Sequence, residues 1–502
     1  MRTAVVGLLV GASTAVAAPP VTVTWDADPA TAGVQNGAGL WTDSSGAMTT
    51  NWWDGTQNVA YPSIKSNRGD VVIGDAAASG SSGAVTFGKD STVIYAANVT
   101  VVGSGWSIGN SATYRSSIDF TGTYTVGDSI TQNGALIGSG SLVINGGTFT
   151  PGFRAGLSTF TGSTTINNAI VPLTGLTNAG GTVTSALGIP TTPAASGLVL
   201  NGATLRLSNV LGSTDTNATT NRLFTLGTGG AVIEANGVGS VKFTNTGAIA
   251  FSGSGARELV LGGTNNTKVH QIAPAIGDAA VGSATSVRKT GVSTWALTGE
   301  NTYSGATTIA GGTLQTSGTA TTNILTNAGG VELAAGTKLV LDYTGGTSPV
   351  ASVKSLLDAE FAAPAGFASG QIRTPVATGS RGLGYADNGV SAVTITYTLY
   401  GDADLDGDVD FNDFLALQAN FGTAGTRFDQ GNFNYDGLTD FNDFLVLQSN
   451  FGQSVTGADV AVTAGQLEVL AAFASANAVP EPTSLAVLAL AGIHLATRRR
   501  SR

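Results

Sequence analysis

Oxygen-bearing side chains recur at a fixed spacing in two stretches of this chain. The first holds Asp402, Asp404, Asp406, Asp408, Asp410 and Asp413 around Gly407, and the second holds Asn432, Asn434, Asp436, Asp440 and Asp443 around Gly437 and Leu438. Counted from Asp402 or Asn432, oxygen side chains fall at positions 1, 3, 5, 9 and 12, glycine falls at 6, and the period between copies is 30 residues. Carboxylates on alternate residues of a tight turn can surround one hard cation, and Ca²⁺ takes roughly 6–8 oxygen ligands. Glycine at position 6 allows a bend where a Cβ would clash. Position 7 would offer its backbone carbonyl, so its side chain is free to be Asp408 in one copy and Leu438 in the other. The expectation is therefore two Ca²⁺ sites, the second weaker because Asn432 and Asn434 carry no charge. A plainer use of the same residues is an Asp-rich turn in which Asp410 caps the next helix.

Each loop must be followed by a helix, because Phe414, Leu417 and Phe421 recur at helical spacing after the first copy. A loop with the spacing of an EF-hand, ending in Asp instead of Glu, followed by one helix and repeated once, resembles the type I dockerin module. The resemblance covers residues 401–452 and implies a small α-helical calcium module that docks on a cohesin-like partner. Positions 10 and 11 depart from it. Cellulosomal dockerins usually carry small or hydroxylated residues there, whereas this chain has Phe411-Asn412 and Phe441-Asn442. Those phenylalanines are expected to pack the two halves together.

The chain has 502 residues, 71 Gly, no Cys, 11% charged residues and 42% hydrophobic residues. Several domains are expected, rich in short strands and tight turns. The hydrophobic share is too high for a disordered chain. Absence of cysteine excludes disulfides, thiol catalysis and Cys-ligated zinc. Net charge is −10, and 401–452 accounts for most of it with ten Asp against one Arg. The remainder is nearly neutral and has no basic stripe, which argues against nucleic acid as a partner.

Residues 1–17 read as a signal peptide: a basic start, a short apolar run and an Ala15-Val16-Ala17 cleavage site. Trp25, Trp41, Trp52 and Trp53, with Tyr61, follow closely. They suit either a sugar-stacking platform or an aromatic plug over the end of a stacked β-structure. From residue 71 to 341 short period-two strands alternate with Gly or Asn turns. In the clearest unit, 289–315, Trp295 and Leu297 alternate with polar residues, as do Thr307 and Ile309. This unit resembles the autotransporter-associated β-strand repeat, and 141–170 looks like a divergent copy. The resemblance implies a mainly β fold, a right-handed parallel β-helix over 18–345. An antiparallel sandwich is the alternative, and no C-terminal membrane barrel is expected.

Residues 346–400 read as an α/β closing segment, with a helix capped by Ser352 and a half-buried strand through Val393, Ile395, Tyr397 and Leu399. Residues 453–478 read as a linker with a helix near 466–473. The tail, 479–502, joins Val479-Pro480-Glu481-Pro482 to a short apolar run and an arginine cluster. It resembles the PEP-CTERM sorting signal, which implies an exosortase-type protease as partner, transient membrane insertion and cleavage near Pro-Glu-Pro.

Chemistry elsewhere is sparse. His270 and His494 are the two histidines, and His270, beside no nucleophile motif, is expected at a surface or turn. Glu234, Glu258, Glu300 and Glu332 show no spacing that selects a catalytic pair. The reading is a non-catalytic, calcium-binding protein of the cell surface or extracellular matrix. The alternative is a polysaccharide-binding or polysaccharide-degrading protein docked through 401–452.

Overall fold

The computed structural model describes residues 22–477, apart from 43–44, 62–64, 67, 79, 90, 110–115, 153–156, 209–216 and 459. The expected signal peptide and sorting tail lie outside the described residues. The chain divides into two compact units, Met1–Thr204 and Leu205–Arg502. Both are mainly β, with strands paired in parallel, so the antiparallel sandwich does not hold.

In the first unit the strands Thr22–Trp25, Gly69–Ile73, Val93–Val101, Thr123–Val126, Ser141–Asn145, Thr164–Asn167 and Leu198–Asn201 lie side by side in parallel. A second parallel row joins Gly39–Thr42, Ala84–Phe87, Trp106–Ile108, Ile130–Gln132 and Phe149–Pro151. Register aligns the inward residues: Ile73, Val101, Val126, Ile144, Ile166 and Leu200 form one continuous buried column. The outward positions alternate with them, as the period-two pattern requires. Asn145, Asn167 and Asn201 also stack in register, Asn167 donating to Asn145 at 2.8 Å and Asn201 to Asn167 at 3.2 Å. Trp25, Trp41 and Trp52 are fully buried and pack ring to ring at 5.2 and 4.7 Å. These three are core, not an exposed sugar platform.

In the second unit one parallel row runs Ala231–Ala235, Arg257–Gly262, Thr285–Lys289, Thr307–Ile309, Val331–Leu333 and Ile372–Arg373. Another runs Ala218–Thr220, Val241–Phe243, Val269–Ile272, Thr294–Leu297, Thr313–Ser317 and Lys338–Asp342. An antiparallel hairpin, Arg381–Asp387 and Ala392–Leu399, then lies on Lys338–Asp342, with Lys338 opposite Thr396 and Asp342 opposite Ala392. Helices follow the chain as α1 (Thr319–Thr326), α2 (Val350–Ala362), α3 (Phe411–Asn420), α4 (Phe441–Asn450) and α5 (Ala464–Asn477). Among the described residues no helix is long and apolar enough to cross a membrane.

Ser352 does not cap α2. The helix starts at Val350, behind Pro349, and the Val350 N–H donates to Ser348 Oγ at 3.2 Å. His270 is neither at the surface nor in a turn. It is fully buried in a strand, aligned with Trp295 on the next one. The Val241 N–H donates to its Nδ1 at 3.0 Å, which leaves Nε2 protonated and donating to the Asn265 carbonyl at 3.2 Å. Burial pulls its pKa down and favours this neutral tautomer, the Asn265 bond opposes the shift, and Lys289 adds to it. Lys289 is itself inward, between Leu261 and Ile309 in register. Its ammonium donates to the carbonyls of Thr290, Gly291 and Gly311 at 2.6, 3.0 and 2.9 Å. Burial lowers its pKa to about 8.

Candidate metal centre

The terminal strand Ala392–Leu399 runs directly into the first acidic loop, and α3 follows that loop. After a connection through Phe428 the second loop leads into α4 in the same way. Both loops begin behind a glycine in the left-handed region, Gly401 at φ 114° and Gly431 at φ 93°. Position 4 is left-handed in both, Leu405 at φ 61° and Tyr435 at φ 60°, and so is position 6, Gly407 at 95° and Gly437 at 84°. Equal dihedrals at equal positions show that the duplication in sequence is a duplication in backbone shape.

Position 12 ties each loop together. Asp413 accepts from the N–H groups of Ala403 (2.7 Å), Asp404 (3.3 Å) and Asp410 (2.7 Å). Asp443 accepts from those of Phe433 (2.7 Å), Asn434 (3.1 Å) and Asp440 (3.0 Å). Position 9 opens each helix with a capping box: Asp410 accepts from Asn412 N–H and Asp440 from Asn442 N–H, both at 2.7 Å. The capping box of Asp410 therefore shares one loop with the candidate ligands.

Position 1 is the informative one. Asp402 is fully buried, and Asn432 nearly so. Asp402 Oδ2 accepts from Thr398 Oγ1 and from Gly407 N–H at 3.0 Å, but its Oδ1 has no hydrogen-bond partner. Asn432 donates through Nδ2 to the Thr426 carbonyl at 3.1 Å, and its Oδ1 likewise has no partner. A buried oxygen without a donor costs about 1–3 kcal/mol, and the same atom type is left so at the same position twice. Ligand oxygens of Asp402, Asp404 and Asp413 lie within 4.8 Å of one another. Asp406, Asp408 and Asp410 stand outside that group of three. In loop two Asn432, Asn434, Asp436, Leu438, Asp440 and Asp443 occupy the equivalent places, with Asn434 Nδ2 turned to Asp436 at 2.9 Å.

Burial raises the acidic groups. Asp402 is pushed up to about 7, mainly by desolvation and also by the charge of Asp406, against the Thr398 bond. Asp413 rises to about 8 through burial and the charges of Asp402 and Asp404, against the N–H bonds it accepts. Asp443 rises to about 6, again by burial first. Asp404 moves the same way, by burial and then Asp406. A divalent cation supplies the countercharge such a cluster lacks. The donor set is all oxygen, which fits a hard ion such as Ca²⁺.

The halves meet through Phe414 and Phe444, whose centroids are 6.4 Å apart at 73°. Phe411 and Phe441 do not join them. Each lies on its own helix against the next phenylalanine, at 5.5 Å from Phe414 and from Phe444 respectively. Each loop is also clasped by chain from beyond the opposite helix. Gly407 and Val409 bond to Val455, Gln453 and Gly452, while Gly437 and Thr439 bond to Gly425, Thr423 and Gly422. The stretch read as a linker holds α5, whose Phe473 ring lies 5.2, 5.0 and 5.3 Å from Phe414, Phe421 and Phe444.

Sequence reasoning missed Thr398, the partner of Asp402, and Tyr435. The Tyr435 ring stacks on Phe361 at 4.9 Å, and its hydroxyl donates to the Leu383 carbonyl. The signal available was the pair of glycines, Gly401 and Gly431, one place ahead of each loop.

Comparison with known proteins bears on the β region. The passenger-associated-transport-repeat family matches residues 287–316. Over 159 residues, 30% of this chain, the sequence is 39% identical to the Adhesin BmaC autotransporter of Brucella suis biovar 1 (strain 1330). The chain spans about 4% of that relative's length. No solved structure matches the chain. The strands Thr294–Leu297 and Thr307–Ile309, with Thr313–Ser317 as far as residue 316, therefore fall in the stretch that this family matches, where Trp295, Leu297, Thr307 and Ile309 had marked a repeat.

Proposed function

We propose that this chain is a secreted, non-catalytic, adhesin-like protein of the cell surface or extracellular matrix. Its β region is a right-handed parallel β-helix, and 401–452 is a calcium-folded module of dockerin type. The observation that carries the reading is the passenger repeat at 287–316 within stacked parallel strands, together with the likeness to an autotransporter adhesin. The calcium part is supported by the paired orphan oxygens of Asp402 and Asn432. Asp402, Asp404, Asp406 and Asp413, with the carbonyl of Asp408, would hold the first ion. Asn432, Asn434, Asp436 and Asp443, with the carbonyl of Leu438, would hold the second. Asp410 and Asp440 position the helices, and a bound ion would add the positive charge that lets the buried carboxylates ionise together. The tail 479–502 is assigned to sorting by an exosortase-type protease, with transient insertion and release.

Adhesion tests this. Purified mature protein should bind extracellular polysaccharide or host-matrix surfaces in calcium and release no sugar from polysaccharide substrates. Absence of binding to every such surface, or turnover of a polysaccharide, would overturn it. Docking on a cohesin-like protein is the second reading. It is favoured by Leu415 and Leu445, exposed at equivalent places on α3 and α4. Pull-down by immobilised cohesin domains distinguishes the two.

A further inference from the structure

The two loops are not a freely hanging module. Asp402 receives the hydroxyl of Thr398, which is buried on the hairpin strand Ala392–Leu399. Tyr435, at position 4 of the second loop, reaches the Leu383 carbonyl on the other hairpin strand. Its ring lies 4.9 Å from Phe361 of α2 and 5.4 Å from Phe367. Asp429, between the loops, accepts the Asp387 N–H at 3.0 Å, and Arg381 donates to the Ser454 carbonyl at 3.2 Å. Loop one therefore holds one strand of the hairpin and loop two the other, with Asp429 and Ser454 adding ties from the flanking chain. That hairpin covers Lys338–Asp342, the last strand of the parallel row, along five aligned residue pairs. An uncovered edge strand is a row of unpaired N–H and C=O groups.

We propose that cation occupancy of the paired loops governs how firmly the hairpin 381–399 is seated on the edge strand Lys338–Asp342. The proposal rests on the calcium reading above. In the metal-free state the Asp402 carboxylate keeps its Thr398 bond, but nothing satisfies Oδ1, and neighbouring carboxylates repel one another. Relaxation of the loop then pulls on Thr398 directly. The left-handed backbone at Tyr435 is held by the same loop geometry, so its ring and hydroxyl loosen with it. The second ligand-dependent tie makes the hairpin respond as a unit. The device is a cation-dependent cover over a sheet edge.

Hydrogen exchange of the full mature chain, in calcium alone and with chelator, tests it. The loops 402–413 and 432–443 and the hairpin strands 381–387 and 392–399 should all exchange faster in chelator, the hairpin by about tenfold. Strand 294–297 of the same sheet should not change. The double variant Thr398→Val, Tyr435→Phe should keep the response of the loops and lose that of the hairpin, whose exchange is then fast in both conditions. Loops that respond while the wild-type hairpin does not would overturn the coupling and leave the calcium reading standing. Loops that do not respond would overturn both. A double variant whose hairpin still slows in calcium as in the wild type would overturn the proposed route.

Discussion

Single residues separate the two loops. Asp402 brings a charge to position 1, while Asn432 brings a neutral carbonyl to the same buried place. Calorimetry on the mature protein should show two unequal calcium sites. Asp436→Ala should remove the weaker one, and Asp402→Asn should weaken the stronger by about tenfold, toward its partner. No heat at millimolar calcium would end the calcium reading. Glu360 offers a pH test away from the loops. It is buried in α2, accepts from Gln371 N–H at 2.6 Å and Ile372 N–H at 2.9 Å, and is pushed up to about 7 by burial against those bonds. A carboxyl raised in the folded state holds its proton longer there than in the unfolded chain. Its contribution is thus complete below the unfolded pKa, near 4.5, and is lost as pH rises through about 7. Glu360→Gln keeps the Oε1 acceptor and should flatten that part of the melting-temperature profile between pH 5 and pH 8, gaining relative to wild type at the alkaline end. The duplication of the acidic loops and their helices was legible here because each loop is local in sequence. Thr398, Tyr435 and the burial of His270 were not, because each is created by contact with chain far away in sequence.

At the scale of elements, glycines before the loops set how closely the halves approach. A Cβ on Gly431 would stand 2.6 Å from Leu417 Cα, whereas one on Gly422, also left-handed at φ 77°, meets nothing within 4 Å. Gly422→Ala should therefore cost about 1 kcal/mol, for conformation alone, and Gly431→Ala more than about 2 kcal/mol, for conformation plus backbone displacement. Urea unfolding of the module's transition measures both, and equal losses would deny the close approach. Phe473 fills the slot between Phe414, Phe421 and Phe444. Phe473→Ala should cost about 2 kcal/mol and open α5 to protease. Helix α5 had a weak sequence signature, because its apolar residues, mostly Ala with Leu467, Val469, Leu470 and Phe473, lie on all sides and mark no single face. The start of α2 was misplaced for a similar reason: Ser348 and Ser352 are equally good capping residues, and Pro349 between them decides.

For the whole molecule, period-two alternation made short stacked strands legible, and Trp295 and Leu297 located a repeat unit. Parallel pairing itself was not written in any one strand, since it depends on which distant strand lies in register. The β region is built on those columns, and among its described residues there is no acidic cluster of the kind found at 402–413. Thermal scans of the full chain should show a transition that calcium raises, by about 2.7 kcal/mol at a hundredfold excess over Kd. The β signature in circular dichroism should survive chelator. Loss of that signature on chelation would show that the sheets depend on metal. The crossed clasp of the loops has one more consequence, in the order of events as the chain is made. Loop one is completed by Gly452, Gln453 and Val455, so it cannot close until the far end of the duplication has emerged. A chain passing end-first through a narrow channel would keep this acidic stretch unfolded and threadable throughout. Loop one would then gain its last contacts only once residue 455 is free to fold back on it.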